Sequence, residues 1–183
     1  MNQLTINNTV IEIFVGDLIN ADYDAIAIPT NSRLLPSGTL RCRVLKGAGH
    51  EVQVECNRII SKISNVPIGD AIITSGGKLN AKFIIHVRAG HDQRKLMLAI
   101  WNSLRLADKE GIRSIAYPPI SKEVIGFNAK ICAGIIIPTI KKFVLERNSN
   151  LGNISVCLES LPDYKDFENA LKNIAEVPSI LTQ

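Results

Sequence analysis

Alternating and continuous apolar segments predict a series of strands in the first half of the chain. Residues 4–15 have the pattern of two strands joined by a turn near Asn7-Asn8. Residues 25–28 are wholly apolar, which is typical of a central strand that is buried on both faces. Residues 31–40 are rich in turn formers. Residues 70–87 hold two apolar segments separated by Ser-Gly-Gly, and this pattern predicts a hairpin.

Apolar residues at helical spacing alternate with further strands in the rest of the chain. The helices are predicted at residues 40–62 with a break near Gly47-Ala48-Gly49, at 93–109 after an Asp92 cap, after an Asn128 cap, and at 163–175. Pro138 is expected to kink or split the third of these helices. Two more strands are predicted at 114–117 and 154–158. An antiparallel start followed by alternating strands and helices predicts an α/β fold, with a mixed sheet covered on both faces.

Length and composition favour one globular domain over residues 1–183. The hydrophobic fraction is 46% and the charged fraction is 21%, which are ordinary values for a globular protein. No apolar run approaches the ~20 residues of a membrane span, so a membrane is not an expected partner. The alternating N-terminus is unlike a signal peptide, and we expect a location in the cytoplasm.

The four cysteines are widely spaced, and the three histidines do not have the spacing of metal ligands. Buried free thiols in a reducing compartment are the simplest interpretation. We therefore expect neither a metal nor a cofactor. His86 is expected at a strand end as a hydrogen-bonded structural residue, and His50 at the start of a helix.

Positive charge is concentrated in the middle of the chain. The formal net charge of the whole chain is +4, whereas residues 81–147 hold twelve basic and five acidic residues. A modest basic patch of this kind favours an anionic ligand or surface. It is weaker than the charge pattern of a dedicated nucleic-acid-binding domain.

The segment that follows the strand at 114–117 has the layout of a ligand loop. Pro118-Pro119 end the strand, and a short polar loop then leads into a helix. Open α/β sheets bind ligands where such loops leave the carboxyl ends of strands, and backbone N–H groups there can face an anion. Phosphate-binding loops are usually rich in glycine. Here only Gly126 is present, so an ordinary strand–helix connection is the alternative interpretation.

Five motifs in a fixed order resemble the macrodomain family, the three-layer α/β/α module that binds ADP-ribose. The motifs are Gly16-Asp17-Leu18-Ile19, Asp24-Ala25-Ile26-Ala27-Ile28-Pro29-Thr30-Asn31, Gly69-Asp70-Ala71-Ile72-Ile73-Thr74, Leu79-Asn80-Ala81-Lys82-Phe83-Ile84-Ile85-His86 and Ser114-Ile115-Ala116-Tyr117-Pro118. The resemblance covers residues 8–175. The Pro-Thr-Asn form is closest to the branch found attached to histones.

The resemblance implies a set of ligand contacts. Asp17 matches the carboxylate that accepts a hydrogen bond from the adenine amino group, and Leu18 lies beside the same base. The alternative for Asp17 is a cap on the turn after Gly16. Asn31 matches the asparagine at the distal ribose, and its alternative is to hold its own loop by local hydrogen bonds.

Two loops complete the site that the resemblance implies. Their residues are Ser37, Gly38 and Thr39 in the first loop, and Ser121, Lys122, Glu123, Val124, Ile125, Gly126 and Phe127 in the second. Thr39 and Glu123 stand where the family commonly has glycine, and Ile28 stands where it commonly has asparagine. Glu159-Ser160 occupies the region where an aromatic residue often stacks on adenine. A carboxylate at Glu123 repels a diphosphate, so weak binding or altered specificity is expected.

Three functions remain open from the sequence. The first is binding of ADP-ribose or a related adenine nucleotide diphosphate. The second is hydrolysis of ADP-ribosyl groups or of ADP-ribose phosphate, which the incomplete glycine pattern makes less favoured. The third is a degenerate macrodomain used for protein or nucleic-acid contacts through the basic region. The macromolecular partners considered are ADP-ribosylated protein and RNA. No catalytic residue is assigned, although Asp17 and Glu123 are candidate acid–base groups.

Overall fold

A computed structural model describes residues 1–120 and 127–176 of the chain. The strands are β1 (Gln3–Ile6), β2 (Thr9–Val15), β3 (Ala25–Pro29), β4 (Asp70–Ser75), β5 (Phe83–Arg88), β6 (Ser114–Tyr117) and β7 (Asn153–Leu158). The α-helices are α1 (Thr39–Ala48), α2 (His50–Ile63), α3 (Gln93–Lys109), α4 (Ala129–Glu146) and α5 (Leu161–Glu176). A single 3₁₀ turn covers Leu18–Asn20. Each predicted strand and helix is present.

The strands form one mixed sheet in the order β1-β2-β7-β6-β3-β5-β4. The five strands from β2 to β5 in this order pair in parallel. β1 and β4 add antiparallel edges through the two hairpins that the sequence predicts. Asn7 begins the first hairpin turn at φ 52°, a conformation that asparagine tolerates better than most residues.

Helices cover both faces of the sheet, and each face has its own hydrophobic core. One core joins the sheet to α3, α4 and α5, and Ile100, Ile136 and Phe167 are among its fully buried members. The other core joins it to α1 and α2 around Ile28 and Val52. The fold is therefore the three-layer α/β/α arrangement expected from the sequence. Ile28 is 0% exposed, so its apolar side chain belongs to this core.

The predicted caps are confirmed, and Pro138 does not split its helix. Asp92 and Asn128 accept hydrogen bonds from backbone N–H groups in the first turns of α3 and α4. α4 continues through Pro138 as one helix and is not split. Pro138 and Gly134, four residues before it, are both exposed. The carbonyl that Pro138 leaves without a helical partner therefore faces solvent, which lowers the cost of the proline.

The four cysteines differ in their burial. Cys56, Cys132 and Cys157 are buried, but Cys42 is exposed, so the expectation of four buried thiols is wrong for one of them. Cys42 follows a buried residue of α1 and lies on the outer side of that helix.

Among the described helices, none combines the length and the apolar character that crossing a membrane requires.

Candidate functional site

A cleft of about 260 Å³ opens at the carboxyl ends of four parallel strands. Its walls come from the segments that follow β2, β3, β6 and β7 and from the first turns of α1 and α5. The lining residues are Leu18, Pro29, Thr30, Asn31, Ser37, Gly38, Leu40, Pro118, Pro119, Ile120, Cys157, Glu159 and Asp163. Ligands of open α/β sheets bind at this edge. The structure brings Leu18 and Asn31 together with Ser37 and Gly38 of the first loop at this cleft.

The first loop of the cleft is held by the side chain of Asn31. Its Oδ1 accepts hydrogen bonds from the backbone N–H groups of Arg33 and Leu35, at 3.0 and 3.1 Å. Its Nδ2 donates to the carbonyl of Leu35 at 2.9 Å and to the hydroxyl of Ser37 at 3.0 Å. These four bonds match the local role that was the alternative interpretation of Asn31. The same side chain also borders the cleft.

A buried arginine holds this loop from behind. Arg41 is 1% exposed, and its guanidinium donates to the carbonyls of Leu34 and Leu35 at 2.7 and 2.8 Å. Its third bond, of 2.8 Å, is to Nδ1 of His86 in β5. Within residues 1–120 and 127–176, the ion pairs do not include Arg41. Buried charges usually have a charged partner. Here the acceptors of the buried guanidinium are neutral, namely two backbone carbonyls and an imidazole nitrogen.

These contacts determine which nitrogen of His86 carries the proton. An arginine can only donate, so Nδ1 of His86 accepts and Nε2 is protonated. Nε2 then donates to Oγ1 of Thr74 at 2.8 Å, and that hydroxyl donates to the carbonyl of Ser75 at 3.1 Å. His86 is wholly buried within β5 and does not lie at a strand end as the sequence predicts. Its structural, hydrogen-bonded role is confirmed.

Burial and the positive charge of Arg41 lower the pKa of His86 well below its ordinary value of 6.5. The unfolded chain therefore binds a proton at this residue in a pH range where the folded chain does not. We expect the free energy of unfolding to fall as the pH drops below about 6.5, by up to ~1.4 kcal/mol per pH unit. Urea unfolding at pH 7.0, 6.0 and 5.0 measures this dependence.

His86→Gln tests the assignment, because an amide can accept from Arg41 and donate to Thr74 without titrating. We expect this variant to lose most of the dependence between pH 7 and 5. His50→Gln, at the exposed start of α2, is the matched control and should keep it. An unchanged slope in His86→Gln would show that other groups cause the acid destabilisation.

Three charged side chains meet at the rim of the cleft. Asp17 caps the 3₁₀ turn, since its Oδ1 accepts from the backbone N–H of Ile19 at 3.1 Å. Its Oδ2 accepts from Nδ2 of Asn20 at 3.3 Å and from a terminal nitrogen of Arg43 at 3.1 Å. The other terminal nitrogen of Arg43 lies 3.5 Å from Oε1 of Glu159. Arg43 of α1 thus connects the segments after β2 and β7.

Among the described residues that line the cleft, Cys157 and Asp163 are the other ionisable groups. Burial, with the nearby carboxylates of Asp17 and Glu159, raises the pKa of the Cys157 thiol to about 12. Cys157 is therefore protonated at neutral pH and is a poor nucleophile. Asp163 is 8% exposed and lies in the first turn of α5. A carboxylate at this place in a helix is favoured by the helix dipole.

The structure places the predicted site residues in four groups. Leu18, Asn31, Ser37 and Gly38 line the cleft. Asp17 is the cap at its rim, and Thr39 is the exposed first residue of α1. Phe127 is half-buried and packs against the core on the side of α3 to α5. The residues of the second loop, Ser121, Lys122, Glu123, Val124, Ile125 and Gly126, lie outside the described residues.

Sequence reasoning missed the two arginines of α1. Arg41 and Arg43 belong to a helix that was predicted, but nothing in the sequence distinguishes the buried one from the one at the rim. The two-residue spacing is the only available signal, because residues i and i+2 of a helix point in different directions. Asp163 was also missed, since it was read only as the start of a helix. The sequence analysis noted Glu159 because it occupies the region where the family often has an aromatic residue. It did not predict the ion pair between Glu159 and Arg43.

Comparison with known proteins identifies the class of protein to which this fold and cleft belong. The macro domain family matches residues 28–136, which is more than half of the chain. The chain therefore belongs to the macro domain family.

Two relatives illustrate the extent of the likeness. The chain is 36% identical to a macro domain-containing protein of Listeria monocytogenes over 143 residues, covering 74% of this chain and 81% of the relative. It is 33% identical over 159 residues to a protein of Citrobacter rodentium named O-acetyl-ADP-ribose deacetylase, covering 83% of this chain and 90% of the relative.

Solved structures show the same architecture. The Oceanobacillus iheyensis macrodomain with ADP superimposes with a TM-score of 0.90 at 29% identity, covering 95% of this chain and 96% of that chain. The Trypanosoma brucei macrodomain in complex with ADP-ribose has a TM-score of 0.80 at 24% identity, with coverages of 88% and 68%. The second likeness concerns the fold alone.

Proposed function

We propose that this protein binds ADP-ribose or a related adenine nucleotide diphosphate in the cleft. The observation that carries the proposal is the N-terminus of α1, which opens into the cleft without a side-chain cap. Gly38 is the N-cap residue and lines the cleft. Because glycine has no side chain, no side-chain cap covers the first N–H groups of α1. The first N–H groups of a helix have no partner within the helix, and with the helix dipole they favour an anion.

The walls of the cleft fit the other parts of such a ligand. Leu18, Leu40 and Ile120 supply apolar surface, and Thr30 and Asn31 supply polar groups. Nucleotide sites generally combine a mostly apolar wall with a few polar groups that fix orientation. The Oceanobacillus iheyensis macrodomain with ADP supports the same ligand class.

We expect the affinity to be low for the family, or the specificity to be altered. Thr39 and Glu123 replace glycines of the two loops, and Glu159 occupies the region where an aromatic residue often stacks on adenine. Loss of a stacking partner removes about 1–3 kcal/mol of binding free energy. Ligand contacts by Ser121, Lys122, Val124, Ile125, Gly126 and Phe127 remain predictions from the resemblance.

Ser37→Trp tests the location of the site. Ser37 is exposed at the cleft, and an indole there fills space that the ligand needs. We expect the affinity for ADP-ribose to fall at least ~tenfold, which corresponds to ~1.4 kcal/mol. Isothermal titration calorimetry at one salt concentration measures the change.

Ser61→Trp is the matched control, because Ser61 is exposed on α2 and does not line the cleft. Its affinity for ADP-ribose should equal that of the wild type. Equal binding by both variants would move the site away from the cleft. No binding of ADP-ribose, ADP or AMP by the wild type would contradict the proposed ligand class.

Hydrolysis of an ADP-ribose derivative is a second candidate function. The name of the Citrobacter rodentium relative favours it, and Asp163 places a carboxylate in the cleft. Incubation with O-acetyl-ADP-ribose and with an ADP-ribosylated protein distinguishes binding from turnover. Product formation that is lost in Asp163→Asn, with binding retained, would establish turnover in addition to binding.

Three further proposals concern the macromolecular partners of the protein, its branch within the macro domain family and its location in the cell. ADP-ribosylated proteins are the expected macromolecular partners, and RNA binding through residues 81–147 is the alternative. A steep salt dependence of RNA binding would favour RNA. Assignment to the histone-attached branch rests on Pro29-Thr30-Asn31, and a cytoplasmic location rests on the composition of the chain.

A further inference from the structure

The carbonyl of Leu35 joins the cleft to the buried network behind it. This carbonyl accepts from Nε of Arg41 at 2.8 Å and from Nδ2 of Asn31 at 2.9 Å. The same nitrogen of Asn31 donates to the hydroxyl of Ser37 at 3.0 Å, and both residues line the cleft. Only Leu35 therefore separates the guanidinium of Arg41 from side chains that a ligand meets.

The backbone next to this carbonyl has a conformation that needs support. Leu34 is wholly buried and has φ 56°, in the left-handed region. A leucine is disfavoured there and keeps the conformation only where its surroundings hold it. Arg41 supplies such support, because it donates to the Leu34 carbonyl at 2.7 Å, whereas the contact from Gln53 is longer, at 3.4 Å. A displaced guanidinium would leave the first loop of the cleft less ordered.

His86 holds the guanidinium in place. Arg41 projects from α1, whereas His86 belongs to β5, between β3 and β4 in the sheet. Nδ1 of His86 accepts from Arg41 at 2.8 Å and Nε2 donates to Thr74 at 2.8 Å, so the ring is fixed at both nitrogens. His86 is buried and is not one of the described residues that line the cleft. Its influence on a ligand must pass through Arg41.

We infer that His86 is a positioning residue for ligand binding, because it holds Arg41 where the guanidinium orders the first loop of the cleft. The inference rests on the proposed function, since it requires a ligand that contacts Asn31, Ser37 or Gly38. A loop that is already ordered avoids an ordering cost when the ligand binds. Where only a fraction of the molecules has the binding arrangement, the apparent affinity falls in proportion to that fraction.

The test compares the affinity of His86→Leu and His86→Gln for ADP-ribose by calorimetry. Leucine removes the acceptor for Arg41, and we expect the dissociation constant to rise at least ~fivefold. Glutamine can accept from Arg41 and donate to Thr74, so His86→Gln should bind within ~twofold of the wild type. Arg41→Lys is a second variant in case His86→Leu does not fold. It should also bind more weakly, because an ammonium lacks the planar fork of the guanidinium.

Thr9→Val is the matched control for lost stability. Thr9 is buried at the start of β2, at the opposite end of that strand from the cleft, and its hydroxyl donates to the carbonyl of Leu151 at 2.7 Å. Loss of this buried bond should lower the melting temperature. The dissociation constant for ADP-ribose should stay at the wild-type value.

Hydrogen exchange in the unliganded proteins gives a local measure of loop order. The backbone N–H groups of Arg33 and Leu35 donate to Oδ1 of Asn31 within the first loop. We expect both to exchange faster in His86→Leu than in the wild type, because the loop opens more often. Their exchange should be unchanged in Thr9→Val and in His86→Gln.

The possible results separate the inference from the proposed function. Wild-type affinity in folded His86→Leu or in Arg41→Lys overturns the inference and leaves the proposed function intact. A loss of affinity in Thr9→Val or in His86→Gln as large as that in His86→Leu also overturns it, because lost stability or the lost ring would then explain the effect. A wild type that binds none of ADP-ribose, ADP and AMP overturns the proposed function, and the inference with it.

Discussion

Arg41→Ala is expected to lower the free energy of unfolding by about 3 kcal/mol or more, since each hydrogen bond to a charged group typically contributes about 1.5–3 kcal/mol. The substitution removes the bonds to the carbonyls of Leu34 and Leu35 and to Nδ1 of His86. The two carbonyls keep contacts from Gln53 and Asn31, whereas Nδ1 of His86 is left buried without a donor and loses hydration with nothing in return. Urea unfolding at pH 7, with the midpoint and the slope both fitted, measures the loss.

Arg43→Ala is the control for stability, since it removes the same residue type from the same helix. Arg43 is exposed, so the expected loss is below about 1 kcal/mol. Arg41→Lys separates charge from geometry, because an ammonium has fewer donors and cannot reproduce the guanidinium fork. It should recover only part of the loss. Similar losses for Arg41→Ala and Arg43→Ala would contradict the role assigned to burial.

Gly76→Ala is expected to cost more than about 3 kcal/mol, beyond the usual range for overpacking. Gly76 lies in the turn between β4 and β5, and an added Cβ would be 1.8 Å from the carbonyl oxygen of Ala81. The obstacle is backbone and not a flexible side chain. The hairpin also depends on the hydrogen bond from the Gly76 N–H to the carbonyl of Lys82, at 2.7 Å. Any shift of the chain that relieves the clash weakens this bond.

Gly134→Ala is the opposite case and serves as its control. Gly134 lies inside α4, and an added Cβ there meets no atom of the described residues within 4 Å. Replacing a helical glycine by alanine typically stabilises by about 0.5–1 kcal/mol. Urea unfolding of both variants should therefore give changes of opposite sign. A small loss in Gly76→Ala would show that the β4–β5 turn can adjust.

The order of elements could be predicted because the periodicity of apolar residues follows directly from the geometry of strands and helices. The wholly apolar segment at 25–28 indicated a central strand, and β3 lies between β6 and β5. Pro138 shows the limit of this reasoning. The cost of a proline in a helix depends on whether the carbonyl left without a partner reaches solvent, and periodicity does not contain that information.

The resemblance to the macrodomain family indicated part of the cleft lining, whereas the contacts inside the cleft could not be predicted. It implied Leu18, Asn31 and Gly38 as ligand contacts, and all three line the cleft. The contact from Arg41 to His86 joins residues 45 positions apart, and no local pattern encodes such a pair. The same is true of Arg43 and Glu159, which are separated by 116 positions. Long-range side-chain partners depend on the packed fold.

One of the four thiols is exposed and three are buried, so their different reactivity can be used to follow the conformation of the protein. Cys42 is exposed on α1 between the buried Arg41 and the rim residue Arg43, while the other three cysteines are enclosed. We therefore expect a thiol reagent to modify Cys42 first in the folded chain, and modification of Cys56 and Cys132 to report opening of the core, whereas Cys157 borders the cleft. A dye attached at Cys42 would sit on the helix whose first turn borders the cleft. We expect the fluorescence of such a dye to change when the cleft is occupied, which a titration with ADP-ribose would measure.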